Sequence, residues 1–153
     1  MIRLWLFLHL LGFTMWLGGG LASMVVGIAA KREPRSGLGA VARAQSAAWK
    51  AIIAPGALLA VLSGLVLTFT VAGRTGELVG FNPWLLVMQG AGLVGALVVL
   101  LIGLPTAAKL ARLDPEGPGA AYFDELRTRQ KVVASVAGTL ALVAMLAGAM
   151  LRG

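Results

Sequence analysis

Two classes of side chain that carry much protein chemistry are scarce in this chain. The 153 residues include no cysteine, which excludes disulfides, thiolate metal sites and cysteine nucleophiles. Only 12% of the residues are charged, whereas soluble globular proteins have roughly a quarter. The chain has a single histidine, His9. Any acid–base or metal chemistry must therefore depend on very few side chains.

The scarce charges leave four long charge-free runs. These runs cover residues 4–30, 51–73, 78–108 and 132–151. Each is close to or above the ~20 residues needed to cross a ~30 Å hydrocarbon layer. Lipid offers the backbone no hydrogen-bond partner, so such segments must be helical. The first run resembles a signal peptide, but it is too long and positive charge follows it. We therefore expect it to be retained as a helix.

These runs predict one all-α domain over residues 1–153. We expect an integral membrane, up-and-down four-helix bundle, because four apolar helices with short connections favour that topology. The expected helices cover about 2–30, 51–72, 84–110 and 131–151. Pro55 and Pro105 fall inside two of them and should bend them locally.

The net charge of +7 is concentrated in two of the three loops. The first loop region contains Lys31, Arg32, Arg35, Arg43 and Lys50, and the third contains Lys109, Arg112, Arg127, Arg129 and Lys131. The second loop contains only Arg74 among the basic residues. By the positive-inside rule, the first and third loops are cytoplasmic and both termini lie outside. The expected partner of the basic loops is anionic lipid, and nucleic-acid binding is not expected.

Helix 1 has one face of small, polar and aromatic residues. At helical spacing this face contains His9, Gly12, Trp16, Gly19, Ser23 and Gly27. The opposite side contains Leu4, Phe7, Leu8, Leu11 and Met15. Because residues three and four apart share a helix face, we expect the first side to pack inside the bundle and the second to contact lipid.

Polar residues from several helices are expected to meet in the outer leaflet. With both termini outside, His9 lies at the same depth as Gln89 and Thr70. Trp16 lies on the His9 face, and these four residues, His9, Trp16, Gln89 and Thr70, form the expected ligand pocket. Met88 and Met145 lie at similar depth, so a metal site would use His9, Met145 and Met88. Polar groups in a bilayer are costly and often functional.

Three roles for His9 remain open. It could make an interhelical hydrogen bond, to Gln89 or Thr70. It could ligate haem or a metal, or it could relay protons. The methionines are mostly expected to fill the core, although a His/Met set would suit Cu(I) or axial ligation of haem. Of the tryptophans, Trp5, Trp49 and Trp84 are predicted to lie at membrane–water interfaces.

The sequence contains no recognised catalytic motif. We find no paired carboxylates, catalytic triad, H-E-x-x-H zinc motif or phosphate loop. The glycine run 18–20 lies in a membrane helix. A role in binding or structure is therefore expected rather than an enzymatic one.

Several short motifs resemble known bacterial membrane families. The pattern His9-x6-Trp16-Leu-Gly-Gly19 resembles the first helix of the membrane domain of copper-resistance protein D. Related uncharacterised four-helix families have motifs similar to Pro55-Gly-x7-Gly64-Leu, Pro83-Trp84 and Leu104-Pro-Thr-Ala-Ala-Lys109-Leu-Ala-Arg112. The resemblance implies a multi-pass protein of the bacterial inner membrane that binds or transports copper, another metal ion or a small ligand near His9.

A more distant resemblance is to HemJ-type protoporphyrinogen oxidases. These are also four-helix proteins that bind haem and have a histidine in helix 1, so the resemblance implies haem b as a cofactor. Gln89 stands where a lysine would be expected, and the lack of a second histidine excludes bis-histidine haem within one chain. A third possibility is an accessory subunit whose small-residue faces dock a second copy or partner membrane helices.

Overall fold

The computed structural model describes residues 1–75 and 82–151, with side chains placed for 1–70 and 82–151. Within these residues the fold is all-helical and contains no strand, which confirms that the fold class is all-α. Four helices are long and apolar enough to cross a membrane.

The helices form four rods. Their bounds are α1 Ile2–Ala29, α2 Leu38–Ala48, α3 Ala54–Thr75, α4 Pro83–Leu97, α5 Leu104–Leu110 and α6 Ala120–Met150. Short 3₁₀ turns at Ala30–Arg32 and Arg35–Gly37 connect α1 to α2. A π-helical turn at Trp49–Ile53 joins α2 to α3, and another at Val98–Gly103 joins α4 to α5. The rods are therefore α1, α2–α3, α4–α5 and α6.

Two rods extend well beyond the charge-free runs. The second begins at Leu38 and the fourth at Ala120, whereas the runs predicted membrane helices from about 51 and 131. The added segments contain alanine, arginine and glutamine, which form helices readily, but their charged residues exclude them from the charge-free runs. At the other end of the molecule, the Asn82 side chain accepts a hydrogen bond from the Trp84 backbone N–H at 3.0 Å. That cap places the start of α4 at Pro83, close to the predicted start at about residue 84.

Each π turn ends two residues before a proline. Pro55 and Pro105 lack the N–H that would pair with the carbonyl four residues earlier, and their rings crowd that carbonyl. Those carbonyls belong to Ala51 and Leu101, which lie within the two π turns. The predicted local bends thus take the form of widened helical turns.

The bundle has two apolar clusters. The central cluster includes Trp16, Trp49, Ile53, Val99, Val133 and Ala137. The second, which we call the basic-end cluster, contains Ala30, Leu38, Ala42, Leu110, Phe123 and Leu126. Trp49 is only 2% exposed, so its predicted interface position is wrong. Its ring points into the bundle and lies against Gly103, where a Cβ atom would overlap it.

Arg35 joins the first and third loops. Its guanidinium donates to the backbone carbonyls of Pro115 at 2.6 Å and Ala120 at 3.4 Å. It also forms a 2.8 Å ion pair with the Asp124 carboxylate. The two basic loops are therefore at the same end of the molecule, which we call the basic end.

Candidate functional site

The site around His9 depends on a close crossing of α1 and α3. A Cβ atom on Gly12 would lie 2.5 Å from the Ala60 nitrogen, and one on Gly56 would lie 2.8 Å from the Trp16 nitrogen. Only glycine allows the two backbones to approach this closely. The predicted inward face of α1 is confirmed, since Gly12, Trp16 and Ser23 are its buried residues.

The His9 imidazole spans this crossing. Its Nδ1 atom lies 2.7 Å from the carbonyl oxygen of Ala60. A carbonyl oxygen can only accept, so Nδ1 carries the proton and donates it. The Ser63 hydroxyl lies 3.4 Å from the same nitrogen and donates to the Leu59 carbonyl of its own helix. His9 therefore makes an interhelical hydrogen bond, to a backbone carbonyl of α3.

Two neighbours fix the position of the imidazole ring. A Cβ atom on Gly64 would lie 2.9 Å from His9 Cε1, so the ring occupies the space that a side chain at 64 would need. Phe13 also packs edge-on against the imidazole, with a ring-centroid separation of 5.1 Å. The position of the ring is thus set by its hydrogen bond to Ala60, by the space at Gly64 and by its contact with Phe13.

The same geometry defines which atom of His9 can bind a ligand. With Nδ1 protonated and donating to a carbonyl, the neutral ring has its lone pair on Nε2. Histidines that bind metals through one nitrogen usually donate the other N–H to a carbonyl or carboxylate, which orients the ring. Among the described residues, no hydrogen-bond donor reaches Nε2. Nε2 is therefore the ligating atom that this arrangement offers.

Gln89 and Thr70 are bonded elsewhere. Gln89 Nε2 donates to the Thr68 hydroxyl at 2.9 Å, which links α4 to α3. The Thr70 hydroxyl donates to the Val66 carbonyl of its own helix at 2.6 Å. The hydrogen bond predicted between His9 and one of these two side chains is therefore replaced by the bond to Ala60.

Trp16 and the methionines occupy separate places. Trp16 is 2% exposed and reaches α4, where its Cη2 lies 2.8 Å from the position of a Cβ on Gly95. Met88 packs towards α6, with its sulfur 3.1 Å from the position of a Cβ on Gly148. Met145 is 52% exposed and so lies on the outer surface of the bundle. Within residues 1–70 and 82–151 there is no group of three or more His, Cys, Asp or Glu side chains that could hold a metal ion.

The α3 side of the site was not predicted from the sequence. The partners of His9 are a backbone carbonyl at Ala60, the space at Gly64 and the nearby hydroxyl of Ser63. The available signal was the pair of small residues Ala60 and Gly64 at i, i+4, which share one helix face. A carbonyl partner leaves no trace in side-chain composition.

Comparisons with known proteins add no family to this picture. No protein-family model, no curated protein and no solved structure matches the chain.

Proposed function

We propose that this protein is a small multi-pass protein of the bacterial inner membrane that binds a metal ion or small ligand through Nε2 of His9. The observation that carries the proposal is the hydrogen bond from His9 Nδ1–H to the Ala60 carbonyl, 2.7 Å long. It orients the ring and directs the lone pair to Nε2, as in many metal-binding histidines. The resemblance to the membrane domain of copper-resistance protein D points the same way.

The membrane placement is supported by apolarity and charge. Four helices are long and apolar enough to span a bilayer. The positively charged loops share one end, where Arg35 bonds to Asp124. By the positive-inside rule this end faces the cytoplasm, both termini face outside, and His9 lies in the outer half of the membrane.

The donor set limits what can bind. His9 offers one nitrogen, and Met145 lies on the outer surface. The remaining ligands of a metal would come from the bound molecule or from a second copy of the chain. A soft ion such as Cu(I) accepts imidazole and thioether ligands. For haem b, His9 would be a single axial ligand.

The test is ligand-dependent stability of purified protein in detergent. We expect Cu(I) or its analogue Ag(I) to raise the melting temperature of the wild type, since a ligand at 100 times its Kd stabilises by about 2.7 kcal/mol. His9→Gln should abolish this rise. The matched control is Thr14→Val, because Thr14 is an exposed polar residue on the same helix that bonds only to the Leu10 carbonyl. An unchanged melting temperature in the wild type would reject the metal proposal.

The haem alternative has its own readout. A visible spectrum of protein purified from membranes should show a Soret band near ~400 nm if His9 ligates haem. The band should be lost in His9→Gln and retained in Thr14→Val. A spectrum without the band rejects haem and leaves the Cu(I) result unaffected.

A second candidate function is that of an accessory subunit that pairs through α1. Gly18 and Ala22, four residues apart, form an exposed small-residue face of α1, and a Cβ on Gly18 would meet nothing within 4 Å. Small residues at this spacing allow close approach of a second helix. Because the chain has no cysteine, Gly18→Cys can be oxidised in membranes as the sole thiol. A disulfide-linked dimer would support pairing with a second copy, and a monomer would reject it.

A further inference from the structure

A pocket of about 210 Å³ lies between α5 and α6, near the basic end. Its polar lining comes from both helices: Thr106 and Lys109 of α5, and Tyr122 and Arg129 of α6. The volume is several times what a single water molecule requires. Two cations and two hydroxyl groups therefore surround one small space.

Helical spacing explains why these side chains meet. Thr106 and Lys109 are three residues apart, so they share one face of α5. Tyr122 and Arg129 are seven residues apart, which is about two turns, and share one face of α6. Thr106 is 5% exposed, whereas Lys109, Tyr122 and Arg129 are exposed, so Thr106 is the buried member of this set.

Of the described residues, those that line this pocket include no acidic side chain. Among the described residues, the ion pair Arg35–Asp124 is the only one within 4.0 Å, so neither Lys109 nor Arg129 is paired with a carboxylate at that distance. The nearest acid in sequence is Glu125, one turn before Arg129. Glu125 lines a separate shallow groove along α6, which Arg129 also borders. The pocket thus combines positive charge with hydroxyl donors, and the carboxylates nearest to Arg129 in sequence, those of Asp124 and Glu125, line the neighbouring groove instead.

We propose that this pocket binds a phosphate group. Lysine and arginine bind phosphate oxygens through charge-assisted hydrogen bonds, and the Thr106 and Tyr122 hydroxyls can donate to the same oxygens. Phosphate of this kind could come from the headgroup of an anionic phospholipid or from free phosphate. The lipid source is favoured because Leu101 and Pro105 line the pocket on its apolar side, where an acyl chain would continue.

This inference rests on the proposed membrane placement but is independent of ligand binding at His9. Basic pockets between membrane helices on the cytoplasmic side are typical binding places for anionic headgroups. The general attraction of the basic loops for anionic lipid acts at any exposed cation. A specific pocket predicts in addition that Lys109 and Arg129 contribute more to lipid affinity than the neighbouring cations do.

The experiment compares lipid binding to protein in nanodiscs or detergent. Bound phosphatidylglycerol would be measured against phosphatidylcholine for the wild type, for Lys109→Gln/Arg129→Gln and for Tyr122→Phe. The matched control is Arg112→Gln/Lys131→Gln, which removes two exposed charges from the same end but outside the pocket. We expect the pocket variant to lose affinity for phosphatidylglycerol by about tenfold or more, because it removes both cations that would contact one anionic headgroup. Tyr122→Phe, which keeps size and packing, should lose a smaller factor.

The outcomes separate the possible explanations. Equal losses in the pocket and control variants would overturn the proposal in favour of general surface electrostatics. Inorganic phosphate that displaces the lipid shows the shared phosphate chemistry, and phosphate binding without phosphatidylglycerol preference assigns free phosphate as the source. His9→Gln must leave lipid binding unchanged. Failure of the protein to enter nanodiscs at all would refute the membrane placement instead.

Discussion

His9 donates a hydrogen bond to a backbone carbonyl, and its ring fills the space left by a glycine. The carbonyl of Ala60 accepts its Nδ1 proton, and Gly64 supplies the space for its ring. Both partners lie on α3, one helical turn apart. The orientation of the imidazole is therefore set by the crossing of two helices rather than by a network of polar side chains.

This arrangement predicts that a methyl group at position 64 destabilises the protein by displacing the His9 ring. In Gly64→Ala the new Cβ would lie 2.9 Å from His9 Cε1, so the ring must move and weaken its hydrogen bond. We expect a loss of about 1–2 kcal/mol in unfolding free energy, within the usual range for overpacking. A double-mutant cycle with His9→Ala measures the coupling.

In the His9→Ala background, Gly64→Ala should be neutral or slightly stabilising, because alanine favours helix over glycine. If Gly64→Ala costs the same with and without the imidazole, the steric role assigned to position 64 is wrong.

Gln130 is the least satisfied polar residue of the core. It is 7% exposed, and both its amide nitrogen and its amide oxygen lack a hydrogen-bond partner among the described residues. On α6 it lies between Leu126 of the basic-end cluster and Val133 of the central cluster. Buried amides without partners typically cost about 1–3 kcal/mol.

Gln130→Leu is therefore expected to raise the unfolding free energy by about 1–3 kcal/mol. Gln89→Leu is the matched control, because Gln89 donates to Thr68 and its loss should lower stability by about 0.6 kcal/mol. Thermal unfolding in one detergent compares the two. A destabilised Gln130→Leu would mean that the amide is satisfied by bound water or another ligand.

At the scale of the helices, the two π turns contact each other. Trp49 belongs to the first turn and Gly103 to the second, and the ring of one covers the Cα of the other. Trp16 makes a comparable contact with Gly95, eight residues earlier on the α4–α5 rod. Two indole rings thus pack onto two glycines of one rod.

Gly103→Ala should be strongly destabilising, because its Cβ would overlap the Trp49 ring. Gly90→Ala on the same rod is the control, since a Cβ there would meet nothing within 4 Å. We expect the first to cost about 1–3 kcal/mol or more and the second to stabilise by up to about 1 kcal/mol through helix propensity. Melting temperatures of the two variants should move in opposite directions.

The helices could be predicted from the sequence better than their contacts. Charge-free runs located the four apolar segments, and Pro55 and Pro105 marked the bends, because backbone chemistry acts locally. Trp49 was misplaced because it precedes Lys50, which is typical of a membrane interface, and a hydropathy pattern does not tell which way a ring points. The Ala60 carbonyl could not be predicted as the partner of His9, since every residue has one.

At the scale of the whole molecule, the proposed topology can be tested with single cysteines in a chain that has none. Ser36→Cys and Glu116→Cys place a thiol in the first and third loops, and Arg3→Cys places one near the N-terminus; all three positions are exposed. With both termini outside, a membrane-impermeant thiol reagent on intact spheroplasts should label only Arg3→Cys. Permeabilised membranes should label all three, which serves as the control. Labelling of the loop positions in intact spheroplasts would show that the orientation is opposite to the proposed one.

The pairing of tryptophans with glycines also bears on how the molecule assembles. Both rings, Trp16 and Trp49, come from the first half of the chain, and both glycines, Gly95 and Gly103, come from the second. One helical hairpin therefore supplies the projections and the other the recesses, so neither half is complementary to a copy of itself at this surface. The two hairpins are complementary in shape at this surface, which favours pairing of the two unlike halves over pairing of like with like.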